Sequence, residues 1–157
     1  MLRDCAAQAT VEAAILLPSF LLLLLLALQP VCLLYTRSVM ESAASATARL
    51  MVSADAQDED AHRAFAMRRL AAVPDVSIFH EGGPLAWEVE LGYAKDDGSV
   101  KVAIEGVVAP LPVLGAFAGA FGERNSAGDV VIEVEVSYKG RPEWLEGDYE
   151  TWVKAWD

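Results

Sequence analysis

Apolar residues are concentrated at the amino end of the chain, and a mixed pattern follows them. Residues 13–35 carry no formal charge and include an unbroken leucine run from Leu21 to Leu26. A helix of this length reaches roughly 34 Å at about 1.5 Å per residue, whereas the hydrocarbon core of a bilayer is about 30 Å thick. The pattern therefore predicts one membrane-spanning helix.

The same helix is predicted to continue through residues 37–54. Pro18 and Pro30 lie inside the apolar part, where a proline removes a hydrogen bond and can bend the helix axis. Small side chains in the continuation either allow close packing against related subunits or simply favour helix formation on a partly buried helix. These small residues are Ala43, Ala44, Ala46, Ala48 and Ala54.

An acidic stretch at residues 55–60 separates this helix from a second one. Negative charge stabilises the first turn of a helix, so the stretch suits a loop followed by a helix start. Apolar residues then recur roughly on one side from about Glu59 to Ala72, and Pro74 ends the pattern. We expect a helix over residues 59–72.

From Val76 onward the apolar residues alternate with polar ones, which is the period of a half-buried strand. The pattern predicts a short strand over residues 76–80 and a hairpin whose turn includes Asp97 and Gly98. It also predicts a last strand over residues 130–138. The expected fold class is α+β: a long amino-terminal transmembrane helix, a second helix and a small antiparallel sheet with one covered face.

Two apolar stretches fall outside these elements. Residues 107–122 are uncharged but too short and too broken by Pro and Gly to span a membrane. They predict either a buried loop or an exposed loop that lies on the membrane or in a neighbour. Near the carboxyl end, Tyr149, Trp152, Val153 and Trp156 recur at helical spacing. They predict either a short helix packed on the sheet or, together with Trp144, a partner-binding aromatic stripe.

The charge of the chain excludes some classes of function. The formal net charge is −11 and no basic stripe is present, which argues against a nucleic-acid partner. Strand glutamates are expected to gather on the uncovered face of the sheet, as a solvated face or as a surface for a basic partner. They are Glu88, Glu90, Glu105, Glu133 and Glu135. The motifs of nucleotide-binding loops, serine hydrolases and zinc proteases are missing. We therefore expect neither an enzyme, nor a cofactor, nor a metal site.

The residues before the apolar run carry the most informative pattern. A short polar start leads through small residues into Gln8-Ala9-Thr10-Val11-Glu12-Ala13-Ala14-Ile15-Leu16-Leu17-Pro18. This resembles the class III leader of type IV pilin-like proteins, most closely the TadE-like minor pseudopilins of tight-adherence (Flp-type) pili, over roughly residues 7–50. The resemblance implies cleavage by a prepilin peptidase between Ala7 and Gln8, with Glu12 as the fifth residue of the mature chain. Two departures are Ala7, where the family usually has Gly, and Ala13, where an aromatic residue often stands.

The resemblance also implies an organisation and a function. Residues 1–7 would be the leader, 8–54 the transmembrane and extended helix, and 55–157 an extracytoplasmic α+β domain held at the cytoplasmic membrane. The function would be structural support of pilus assembly or secretion. The partners would be a prepilin peptidase, other pilin or pseudopilin subunits, an inner-membrane platform protein and a secretion ATPase. The alternative is a single-pass protein, unrelated to pili, whose acidic domain binds a ligand or an envelope partner.

Three points remain open from sequence alone. Glu12 either caps the helix start or pairs with the freed α-amine of a neighbouring subunit, as the resemblance implies. A late cleavage near Ala44 would instead release the domain as a secreted protein. Arg3 precedes the apolar run whereas Arg37 and Arg49 follow it, so a positive-inside count gives the opposite topology to the pilin-like one.

Overall fold

The structure, a computed structural model, describes residues 2–53, 58–94, 98–111, 123–139 and 153, with side chains from Val11 onward. The described elements are two helices and four strands. Helix α1 is Leu2–Ser53 and α2 is Glu59–Leu70. The strands are β1 (Glu88–Tyr93), β2 (Val100–Val108), β3 (Glu123–Arg124) and β4 (Val130–Tyr138). The predicted α+β class is confirmed.

Helix α1 is continuous through both prolines, as predicted. Its carboxyl half lies across the sheet, and Met40, Ala43 and Ala44 are each no more than 1% exposed. Ala48 is also fully buried. The hypothesis that these alanines face neighbouring subunits is therefore wrong for Ala43, Ala44 and Ala48: their small side chains let the helix of the same chain approach its own sheet.

Helix α2 begins where the acidic stretch predicted it and ends at Leu70, two residues before the expected Ala72. Asp58 caps it by accepting a hydrogen bond from the Ala61 N–H at 3.3 Å. Two contacts tie α2 to β1. Arg63 donates to the Val89 carbonyl at 2.7 Å, and His62 Nδ1 is hydrogen-bonded to the Tyr93 hydroxyl at 2.8 Å.

The four strands form one antiparallel sheet in the order β1-β2-β4-β3. Alternate residues of β2 and β4 are buried against α1, which confirms the predicted period of two. The buried side chains include Val102, Ile104, Val108, Val130 and Val134. The other face of the sheet carries the polar residues, so the core lies between the sheet and α1.

The predicted strand at residues 76–80 is wrong. The N–H groups of Phe79 and His80 donate to the Val76 carbonyl at 2.8 and 3.1 Å, which closes the chain into a turn. Both ends of this segment are bent, by Pro74 before it and by Gly82 and Gly83, which have positive φ, after it. These residues instead form part of the loop that connects α2 to β1.

Candidate membrane and assembly segment

The amino-terminal part of α1 is an exposed apolar surface. From Val11 to Leu24 its large apolar side chains are roughly half exposed or more, and Leu28 is 44% exposed. Among the described residues, α1 is the one helix long and apolar enough to cross a membrane. One such helix suggests single-pass membrane anchoring. Residues 13–28, which follow Glu12, give an exposed apolar rod of about 24 Å at about 1.5 Å per residue.

The β-domain covers α1 from Gln29 onward. Gln29 is 2% exposed, and its Oε1 accepts a hydrogen bond from the Leu111 N–H at 2.7 Å. Further along the helix, the Thr36 hydroxyl donates to the Phe79 carbonyl at 2.9 Å, and the Tyr35 hydroxyl donates to the Ala72 carbonyl at 3.1 Å. The uncharged run at residues 13–35 is thus divided: one side of its last two turns packs on the protein's own domain, whereas Val31 and Leu34 on the other side stay 61% and 67% exposed.

The predicted assembly residues all lie on α1. Ala7 and Gln8 are helical, and Glu12 has an exposed side chain ten residues after the start of α1 at Leu2. The proposal that Glu12 caps the helix start therefore does not hold for the full-length chain. Pro18 lies further into the exposed rod, where its missing N–H leaves the Ala14 carbonyl without its helical partner. Processing between Ala7 and Gln8 and the pairing of Glu12 stay predictions.

Two surfaces predicted from the sequence lie wholly or largely outside the described residues. The partner-binding stripe lies wholly outside them and stays a prediction; its aromatic residues are Trp144, Tyr149, Trp152 and Trp156. Of the apolar stretch 107–122, residues 107–111 are described: Val108 is buried, and Ala109, Pro110 and Leu111 are half-buried.

The uncovered face of the sheet carries the strand glutamates, as predicted. Glu88, Glu105 and Glu133 lie directly opposite one another on three adjacent strands. Carboxylates in such a row repel one another. Lys101 Nζ lies 2.7 Å from Glu135 Oε2, and Glu135, followed by Glu133 and Glu90, raises the pKa of the Lys101 ammonium. Within the described residues, no three His, Cys, Asp or Glu side chains are grouped as a metal site. The face is an exposed acidic surface.

Sequence reasoning missed a tight aromatic cluster between the sheet and the 76–87 loop. The rings of His80 and Trp87 are stacked, with centroids 3.6 Å apart and planes at 9°. They lie over Gly106 of β2, where a side chain would have no room. His80 is 4% exposed, and this burial lowers the pKa of its imidazole, although backbone contacts with Val107 and Gly83 act in the opposite direction. A glycine within an alternating strand was the signal that could have located this cluster.

We expect acidification to destabilise the domain through His80. Its ordinary pKa is 6.5, and the folded protein holds it lower, so the folded state favours the neutral ring. The stabilisation is present above about pH 6.5 and is lost as the pH falls below that value, because the unfolded chain binds the proton more readily. The measurement is an NMR titration of the imidazole in detergent micelles, with the His80 signal assigned through its contacts with Trp87. A midpoint at or above 6.5 would contradict the expectation.

Comparison with known proteins bears on the same helix. Residues 7–49 match the family model described as TadE-like protein. This segment of the chain is TadE-like. No curated protein and no solved structure matches the chain. The TadE-like segment contains both the exposed apolar rod and most of the helix that the sheet covers, which confirms the resemblance seen from residue 7 onward.

The match also bears on the function. TadE-like proteins are pilus-associated and structural, and they are not known as enzymes. The TadE-like segment therefore suggests that this chain takes part in a tight-adherence pilus system, in a context that includes other pilin subunits. The match ends at residue 49, so the sheet and α2 lie outside it.

Proposed function

We propose that this protein is a minor pseudopilin, anchored in the cytoplasmic membrane, that supports assembly or secretion of a tight-adherence pilus. The observation that carries the proposal is the position of the TadE-like match. It begins at residue 7, beside the proposed cleavage point, and runs through the exposed apolar part of α1 into the part that packs on the sheet.

The proposed organisation is a leader at residues 1–7, a transmembrane and extended helix at 8–54, and an extracytoplasmic domain at 55–157. The contacts described between α1 and the domain lie at Gln29 and beyond. Removal of residues 1–7 would therefore leave them in place. The helix and the domain share one core, since Met40 and Ala44 are buried beneath the sheet. The proposed boundary at residue 54 therefore divides the sequence and does not separate two independently folded units.

Glu12 is proposed to act in assembly through its charge. Cleavage after Ala7 would create an α-amine at Gln8, one helical turn before Glu12 and on the same side of the helix. As the resemblance implies, the α-amine of a neighbouring subunit would pair with the Glu12 carboxylate at the edge of the hydrocarbon, so that each subunit entering the assembly neutralises the carboxylate of another.

The proposed partners follow from this role. A prepilin peptidase would process the Ala7–Gln8 bond, other pilin or pseudopilin subunits would pack beside the apolar rod, and an inner-membrane platform protein with its secretion ATPase would drive assembly. The acidic domain would lie on the extracytoplasmic side. Nucleic acid is not among the proposed partners, because the chain has a net charge of −11.

A second candidate function is favoured by the acidic sheet face. The row formed by Glu88, Glu105 and Glu133 is a surface to which a basic envelope partner would be attracted, independently of any pilus. Neighbouring genes for a secretion ATPase and a prepilin peptidase favour the pseudopilin. Their absence would favour this alternative.

The test of the proposed function is the amino terminus of the mature protein isolated from membranes. We expect the chain to begin at Gln8, and to begin at Met1 in a strain that lacks the prepilin peptidase. Ala7→Gly is the matched variant: it restores the residue usual in the family before the cut and should be processed at least as completely.

Other amino termini would overturn the proposal in different ways. An intact Met1 in the wild-type strain would leave a plain membrane anchor. A start near Ser45 would mean that the helix had been discarded and the domain exported free.

A further inference from the structure

We propose that the membrane-facing end of the β-domain, defined here as residues 109–111, rests in the interfacial layer of the lipid bilayer, where the buried side chain of Gln29 ties it to α1. The occupant of this surface is the lipid itself. The inference rests on the proposal that the apolar rod, residues 13–28, lies in the hydrocarbon core of the membrane, and it does not depend on a role in pili.

The length of the free rod places the domain directly on the bilayer. Residues 13–28 span about 24 Å, less than a hydrocarbon core of about 30 Å. Gln29 follows immediately and is already covered by the domain. No helical spacer therefore separates the membrane from the domain: if the rod crosses the core, Gln29 lies at the interface.

The direction of the strands identifies which end of the sheet faces the lipid. Ile132, near the start of β4, lines a groove with Pro30 and Arg37 of α1. Tyr138, at the end of β4, lies under the guanidinium of Arg49 at 5.9 Å. Strand β4 thus runs alongside α1 and away from the rod. Since Val108 pairs with Val130, the carboxyl end of β2 points toward the membrane.

The backbone of residues 109–111 is prepared for an apolar environment. The Ala109 N–H donates to the Ser77 carbonyl at 3.0 Å, Pro110 has no N–H, and the Leu111 N–H donates to Gln29 Oε1 at 2.7 Å. The backbone N–H groups of the segment are thus satisfied within the protein, as peptide donors near hydrocarbon must be. The three side chains are apolar and only half-buried.

A polar turn limits how deeply this end of the domain can lie in the bilayer. The segment 125–129 joins β3 to β4 at the same end of the sheet, and Asn125 Oδ1 accepts hydrogen bonds from the N–H groups of Ala127 and Asp129 at 3.0 and 2.9 Å. The carboxylate of Asp129 favours the headgroup level over the hydrocarbon. The apolar segment therefore reaches the boundary of the core without entering it.

The experiment measures the depth of single labels in the full-length protein. Cys5→Ser and Cys32→Ala remove the native thiols, and an environment-sensitive fluorophore is placed by Leu111→Cys. Leu22→Cys in the exposed rod is the reference for a label within the hydrocarbon core. Ser137→Cys, at the far end of β4 and exposed, is the matched control on the domain. The proteins are reconstituted in nanodiscs of phosphatidylcholine and phosphatidylglycerol that carry nitroxide either just below the headgroup or deep in the acyl chain.

We expect shallow nitroxides to quench the Leu111 label several-fold more than the Ser137 label, and deep nitroxides to quench the Leu22 label most. If the Leu111 label behaves like the Ser137 label while Leu22 is quenched, the rod spans the membrane but the inference is wrong. A blue-shifted Leu111 label that lipid nitroxides do not quench would overturn it too, because another subunit would then cover the surface. A Leu22 label that no nitroxide quenches would refute the span itself.

Discussion

Replacing Gly106 by alanine should lower the free energy of unfolding of the domain by about 3 kcal/mol, at the upper end of overpacking costs. The added Cβ would lie 2.4 Å from Cζ3 and 2.9 Å from Cε3 of Trp87. The indole has little room to retreat, because the His80 ring is stacked against it at 3.6 Å. Either the ring pair must separate or β2 must leave its register with β1.

Gly92→Ala is the matched control for this substitution. Gly92 also lies within a strand, and an added Cβ there would be 3.4 Å from Lys101 Cβ on the uncovered face, which is an ordinary van der Waals distance. We expect its effect to be within about 0.5 kcal/mol, as for surface positions in general. The measurement is denaturant unfolding followed by the far-ultraviolet circular dichroism of both variants and the wild type. Equal stability of the two variants would show that Trp87 does not pack over Gly106 as described.

Replacing Glu12 by alanine should abolish or nearly abolish pilus assembly while leaving the protein in the membrane. Loss of an ion pair at the hydrocarbon edge, about 3 kcal/mol, corresponds to a decrease of about a hundredfold in subunit association. Alanine suits both a helix and a lipid environment, so the anchor itself should persist. The measurement is the amount of pili sheared from cells, normalised to the amount of this protein in the membrane.

Two further variants separate charge from other effects. Glu12→Gln keeps the size of the side chain and removes its charge, so it should fail as Glu12→Ala does. Glu41→Ala removes an exposed carboxylate from the same helix, where Glu41 pairs with Arg37 at 3.0 Å, and should assemble normally. Normal piliation in both the Glu12→Ala strain and a strain without the gene would contradict the pilus role. Normal piliation in the Glu12→Ala strain alone would refute the role of Glu12 and leave the proposed function standing.

Periodicity of side chains was enough to predict the regular elements of this protein. The alternation of Val100, Val102 and Ile104, and that of Val130, Ile132 and Val134, specifies two strands with one buried face, and the structure pairs these strands. The acidic start and apolar spacing of α2 likewise identify a helix. These signals succeed because hydrophobic period and capping act between residues a few positions apart.

The same local signals failed where contacts between residues distant in sequence determine the conformation. Residues 76–80 alternate like a strand, yet their backbone closes on Val76 and bonds to the end of β2 through Ser77 and Ala109. Gly106 reads as a weak position in a strand until Trp87 and His80 are seen above it. No pattern within β2 contains either of these partners.

The sequence by itself determined that a long apolar helix precedes a half-buried antiparallel sheet and that the helix is TadE-like, because composition and short-range period encode both. Only the tertiary structure decided where the free rod ends. Residues 13–35 are uniformly uncharged, and hydropathy cannot distinguish a side chain in lipid from one in a protein core, since both environments exclude water. The hydrogen bond between Leu111 and Gln29, 82 residues apart in the chain, marks the point at which the domain begins to cover the helix.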